Sequence, residues 1–351
     1  MKVRNNALDL YKILCMFLIT TIHIIGYSKI SPTDTFNAFI VDVLEVLQFF
    51  SISGFTLITG YFLVEKRTTK TKVVNFIFLV SFFSIIICLA SILFNPQISP
   101  ITIIRSFFPF TFTHYWFPIN YLFLLLLVPF LNKFAHSLHK QQFLRFVCIL
   151  AFITSTFFHL SPFVEPTPYI GHYSYSILWF ILLYFIAAYI KLHGVKRHTF
   201  FGPIMFLVCG VLIFVFRIIE EHKIFNYINL LSYNSILSLL FTVSSFITFS
   251  NLHINLGKPL SNALSYCMPS VFVIYLIQEH NAIRDLLWDF VNITKWSESI
   301  WMFPIMLLVF IVLFIVALLL NLLYQFAHKL FINRIENFVL KIYNRITTEK
   351  T

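Results

Sequence analysis

Charge is scarce in this chain, and glycine is scarcer. Only 11% of its 351 residues are Asp, Glu, Lys or Arg, against about a quarter in soluble domains. Hydrophobic residues make up 59%, and 45 residues are Phe. That balance excludes a soluble globular fold and leaves an integral membrane protein. Eight glycines are too few for a bundle packed along glycine stripes. The five cysteines (Cys15, Cys88, Cys148, Cys209, Cys267) stand singly in or at the ends of apolar runs. Such spacing suits neither a metal site nor extracellular disulfides, so buried thiols and no metal are expected. Acidic residues number 14 against 25 basic ones. The basic excess falls in short segments between apolar runs, which is membrane topology rather than nucleic-acid binding. No repeat, low-complexity tract or second soluble domain is visible. The opening MKVRNN precedes an apolar run without a small-x-small cleavage pattern, so that run is expected to remain as the first span.

A span needs about 20 apolar residues. This predicts an all-α, polytopic transmembrane bundle of about ten helices, near 8–27, 38–63, 73–94, 115–133, 143–160, 173–191, 200–219, 227–249, 268–288 and 302–327. With both termini cytoplasmic, the outer side keeps only Lys29, Arg105, Arg217, Lys223, Arg284 and Lys295. Lys12 lies within the first run, and all other basic residues face the cytoplasm, as the positive-inside rule requires. Residues 1–327 form one membrane domain. Between Asn95 and Thr113, Pro96, Pro100 and Pro109 predict an outer loop with a short surface or re-entrant helix. Residues 328–351 form a basic cytoplasmic tail. Its Phe331, Ile335, Phe338, Ile342 and Ile346 share one helical face, with Arg334, Lys341 and Arg345 away from it, the pattern of a helix lying on the anionic leaflet.

The ionisable residues inside these runs need a reason, since each costs roughly 2.5–3.5 kcal/mol at the bilayer centre on insertion scales. Asp9, Lys12 and His23 share one face of the first helix. Lys12 and His23 are eleven residues apart, about 16 Å of helical rise. His23 lies near the outer end, where a neutral imidazole suits a general base and equally suits a structural hydrogen bond. Lys12 lies in the cytoplasmic half, either snorkelling to the inner headgroups or meeting an anion from that side. The second helix carries Asp42 and Glu45. Glu45 reaches the depth of His23 and is expected to orient it; a water-filled vestibule is the other place for such a carboxylate. Thr113 to Phe117 brings His114 and Trp116, followed by Asn120 and Tyr121. Trp116 also fits a belt anchor. In the ninth helix, Gln278, Glu279, His280, Asn281, Arg284 and Asp285 follow closely. Together these polar groups describe an outward cavity with a connection toward the cytoplasm. A transporter or an enzyme with a donor inside and an acceptor outside both fit.

Several motifs in order resemble the integral-membrane acyltransferase-3 family, in particular members associated with surface polysaccharides. RNNALDLYKILCMFLITTIH is similar to the family's opening helix, where a basic residue, usually Arg, precedes a catalytic His by eleven positions; Lys12 and His23 hold those places. FTLITGYFLVEKR resembles the F-x-x-x-SGY segment, with Thr59 for Ser. IRSFFPFTFTHYWFPINYLFLLLLVPFLN, GHYSYSILWFILLYFIAAYIK and IYLIQEHNAIRDLLW resemble later segments, with Gln278 where His is common. The resemblance spans roughly residues 4 to 290.

It implies transfer of an acyl group, usually acetyl, from acyl-CoA to a hydroxyl of a cell-surface polysaccharide or its lipid-linked precursor. The expected setting is a bacterial cytoplasmic membrane, among membrane lipids, with polysaccharide-assembly proteins as further partners, no nucleic acid and no bound cofactor. His23 inherits catalysis, as base or as transient acyl carrier. Lys12 inherits the Arg role without its bidentate fork, and Glu45 completes the catalytic group. Asp9, Thr59, Arg105, His114, Trp116, Tyr121, Glu279 and Arg284 are the expected donor and acceptor contacts. The rivals are a flippase or transporter of a glycan or lipid intermediate, disfavoured by the lack of repeats and of paired broken helices, and a glycan polymerase, disfavoured by the lack of a large polar outer loop.

Overall fold

A backbone surrounded by hydrocarbon must close its hydrogen bonds within each segment, and a helix does so. The computed structural model describes residues 5–66, 70–112, 115–157, 176–194, 200–221 and 231–348. Among them the regular elements are helical. His114 and the basic Arg67, Lys196, Arg197 and Lys223 fall outside the described residues, and the side chain of Ile346 does too.

Helix α1 (Asn6–Ser28) begins where the Asn5 side chain accepts from the N–H groups of Ala7 and Leu8. It ends at Lys29, whose left-handed backbone closes the last turn on Ile25. Asp34 caps α2 (Thr35–Leu63) by accepting from Asn37 N–H at 3.0 Å. Then come α3 (Lys70–Phe94), the short α4 (Pro100–Phe107) in the expected outer loop, α5 (Trp116–Ser137) and α6 (Lys140–Ala151), which runs into a π-helical turn at Phe152–Phe157. The second half holds α7 (Ile177–His193), α8 (Phe201–Glu221), α9 (Ile236–Asn251), α10 (Gly257–Gln278), the short α11 (Arg284–Val291) and α12 (Met302–Ala327). A π segment, His328–Ile332, leads into α13 (Asn333–Thr348).

Seven of the expected spans coincide with helices long and apolar enough to cross a membrane: α1, α2, α3, α5, α8, α10 and the run that begins with α12. The other three fall on shorter helices, of which α7 and α9 are predominantly apolar. One expectation is corrected. The polar run after Ile277 does not continue a helix over 268–288. The helix begins earlier, at Gly257, and stops at Gln278. His280 turns the chain there: its Nδ1 accepts from Ala282 N–H at 3.1 Å and its Nε2 donates to the Ser84 carbonyl at 2.9 Å. His280 is therefore a buried structural hinge with both ring nitrogens occupied.

Helices α1 and α2 form the centre, packed against each other and against α7, α9 and α10; α8 packs outside on α9, and α12 on α10. Two of the rare glycines are used for close approach. A Cβ at Gly60 would stand 2.9 Å from the Tyr184 carbonyl oxygen, and one at Gly54 would run into the Tyr11 hydroxyl. The C-terminal end of α2 is tied off by buried Asn132, whose amide donates to the carbonyls of Leu63 at 2.9 Å and Lys66 at 2.8 Å while its oxygen accepts from Tyr184. The Leu63 carbonyl also accepts from Lys66 N–H at 2.9 Å, so the amide reinforces a turn that already closes the helix end. In the tail, Ile332 and Glu336 are buried, and α13 packs on α3. Phe331, Ile335, Phe338 and Ile342 remain exposed.

Candidate active site

The outer end of α1 meets the break after α10. His23 and Tyr27 are four residues apart and so share one face of the helix. Across from them Glu279, the residue that caps α10, points back. Its Oε1 lies 3.4 Å from His23 Nε2 and accepts from the Tyr27 hydroxyl at 2.8 Å. The longer distance is an ion-pair contact rather than a full hydrogen bond. The His23 and Glu279 side chains are 18% and 14% exposed. Arg284 stands over the Tyr27 ring, 5.0 Å from its centroid, and donates to Asp285 at 3.0 Å. Trp288 stacks on the far side of the mouth against Tyr27, 6.1 Å between centroids. Gln278 comes close to the His23 ring and donates toward Met16 Sδ. His23 Nδ1 and Gln278 Oε1 are both buried, and neither completes a well-formed hydrogen bond.

Glu45 does not supply the carboxylate beside His23. It pairs with Arg217 of α8, as does Asp42, 3.1 Å from the same guanidinium. The reason is rotational: Glu45 matches His23 in depth, but its face of α2 looks toward α8. The three-residue ion cluster ties the lipid-facing α8 to the bundle.

Below His23 a cavity of about 20 Å³ is walled by Phe55, Trp116, Phe117, Phe272 and Tyr275, room for about one water. Lys12 lies beyond Phe55, its Nζ 5.6 Å from that ring's centroid. Phe55 thus borders both the His23 pocket and the Lys12 ammonium. Thr59 donates to the Phe55 carbonyl at 3.2 Å and bonds Tyr121, which stacks on Phe117. The structure therefore gathers His23, Glu279, Arg284 and Trp116 around the outer pocket, with Lys12, Thr59 and Tyr121 behind it. Asp9 sits in the first turn of α1, three residues before Lys12. Arg105 is exposed on α4, and no contact with this group is recorded among the described residues. Tyr27 and Trp288 are the additions that sequence reasoning missed. Tyr27 was findable, being one turn after His23; Trp288 depends on the chain break at His280 and was not.

The elements of a base, an orienting carboxylate, and a cation on the opposite side of an aromatic wall are thus in one place. A carboxylate accepting at Nε2 leaves Nδ1 of a neutral imidazole as the basic nitrogen. Among known families, the model described as an acyltransferase domain, that of the acyltransferase-3 family, matches residues 5–323. No curated protein and no solved structure matches the chain.

Proposed function

The chain belongs to the acyltransferase-3 family, and on that premise we propose that this membrane acyltransferase moves an acyl group, acetyl in the simplest case, from cytoplasmic acyl-CoA to a hydroxyl of a cell-surface glycan or its lipid-linked precursor. The observation that carries this reading is the contact of Glu279 with His23 at the outer end of α1, with Lys12 three helical turns deeper. In this scheme His23 Nδ1 takes the acceptor hydroxyl proton. The acceptor oxygen bonds to the thioester carbonyl carbon, the C–S bond breaks, and the sulfur leaves with the proton His23 returns. Glu279 stabilises the imidazolium formed in between, and Tyr27 holds Glu279. Lys12 meets the donor from the cytoplasmic side. The 20 Å³ cavity is smaller than an acyl thioester, so Phe117 and Trp116 must change rotamer when the donor advances.

The test is the acyl content of the envelope glycan in cells carrying His23→Ala at wild-type protein level. Loss of acylation is expected. Wild-type acylation removes His23 from catalysis, and lost export of a glycan with unchanged acylation returns the transporter reading.

A further inference from the structure

A wider cavity, about 580 Å³, opens between the first turns of α3 and the end of α12. By the charge rule this is the cytoplasmic side. Lys72, Asn75, Gln325 and His328 supply its polar wall, and none of its described lining residues is acidic. Lys66 lies close enough to Lys72 for their charges to interact, and among the described residues no carboxylate pairs with Lys72. Two neighbouring like charges raise the local anion concentration.

The tail completes this cavity. His328 Nε2 donates to Glu336 Oε2 at 2.9 Å. The contact joins residues eight apart across the π segment, about 12 Å of rise on a regular helix. Helix α13 then packs on α3, beside the start that carries Lys72. The buried Glu336 carboxylate holds the imidazole by Nε2 and fixes the ring at the cavity wall, where Nδ1 is the nitrogen left to a ligand. π turns recur at functional sites for this kind of local re-aiming. Tyr324, Gln325 and His328 all lie past residue 323, where the family match ends, so this wall is not part of the matched domain. From the cavity an aromatic row leads to the active site: Phe76 to Tyr121 at 4.8 Å, then Tyr121 to Phe117 at 6.1 Å, and Phe117 walls the His23 pocket.

We propose that this cavity binds a phosphate ester, with Lys72 and His328 on the phosphate and the ligand's uncharged arm lying along Phe76 and Tyr121. The direction of that arm toward His23 rests on the acyl-transfer reading; the phosphate site does not. A soluble nucleotide thioester and a phospholipid headgroup present the same chemistry. The experiment uses the full chain in nanodiscs of phosphatidylcholine and measures equilibrium binding of free CoA and, separately, of short-chain phosphatidylglycerol. Wild type is expected to bind CoA saturably. Lys72→Gln and His328→Gln should each weaken that binding about tenfold or more, Lys72→Arg should restore it, and the exposed Lys258→Gln should leave it unchanged. If phosphatidylglycerol binding shows this dependence and CoA binding does not, the phosphate site stands and belongs to a lipid. If neither probe binds, or neither responds to Lys72→Gln and His328→Gln in protein that stays monodisperse, the site is overturned. Acyl transfer by the same preparations separates the two readings. Intact transfer with unresponsive binding removes the site alone, and responsive binding without any wild-type transfer removes the acyltransferase reading alone.

Discussion

Glu279→Gln isolates the charge beside the imidazole. Gln keeps the size of the side chain and can still accept from Tyr27, so the mouth should hold its shape. What disappears is the negative charge 3.4 Å from His23 Nε2. Two unit charges at 4 Å interact by about 4 kcal/mol at an effective dielectric of 20. Both side chains are partly exposed, and solvent screens such pairs, so a reduction to about 1.4–2.7 kcal/mol is reasonable. That charge acts mainly when His23 has taken a proton, so the loss falls on the transition state. It corresponds to about a ten- to hundredfold drop in kcat, with KM for the donor little changed. The assay is transfer of isotopically labelled acetyl from acetyl-CoA to envelope glycan in isolated membranes. Glu45→Gln is the paired control. Its charge serves Arg217, so activity should stay within about threefold, an effect of less than 1 kcal/mol. A tenfold loss in Glu45→Gln together with wild-type turnover in Glu279→Gln would refute the assignment.

Other substitutions probe the frame around this site. Asn132→Ala removes the side-chain donor to the carbonyls of Leu63 and Lys66 and leaves the buried Tyr184 hydroxyl without its acceptor. At about 1–3 kcal/mol for an orphaned buried group, thermal unfolding in detergent should show a loss of several degrees, while an exposed change such as Lys258→Ala should show none. Glu298 accepts from the backbone N–H groups of Thr33 and Asp34 and from the Thr33 hydroxyl, which holds its carboxyl below the usual carboxylate range. Because the folded value is the lower one, this link stabilises above the unfolded value near 4.3 and is lost as pH falls through the folded value. The melting difference between wild type and Glu298→Gln should therefore be present at pH 7 and close on acidification below about pH 4. Lys12→Arg should keep or raise turnover if this residue fills the family's Arg position; collapse of activity means that α1 handles its donor differently.

The depth of each polar residue was legible from the sequence, while its direction was not. Counting along apolar runs placed His23, Glu45 and Glu279 at comparable depths because helical rise is nearly constant. Rotation is less forgiving: each residue turns the side chain by about 100°, so an uncertainty of two residues in a boundary loses the face entirely. Glu45 was expected on His23 for that reason, and it turned out to face Arg217. The same run of residues also hid the feature that aims Glu279. No Gly or Pro marks the end of α10; Gln278 to Asn281 reads as a continuing helix, and the side-chain hydrogen bonds of His280, one to its own turn and one to Ser84 of α3, hold the turn where it stops. One partner of that stop lies nearly two hundred residues away in the chain, so no local propensity records it. The break has a chemical consequence. Glu279 keeps the helical hydrogen bond of its N–H to the Tyr275 carbonyl while the chain turns away just beyond it. As the cap residue it reaches across to α1, where it meets His23 and Tyr27 together. His280, held to its own turn and to Ser84 of α3, thus marks the turn beside Glu279, and Glu279 is the carboxylate of the polar run that meets His23.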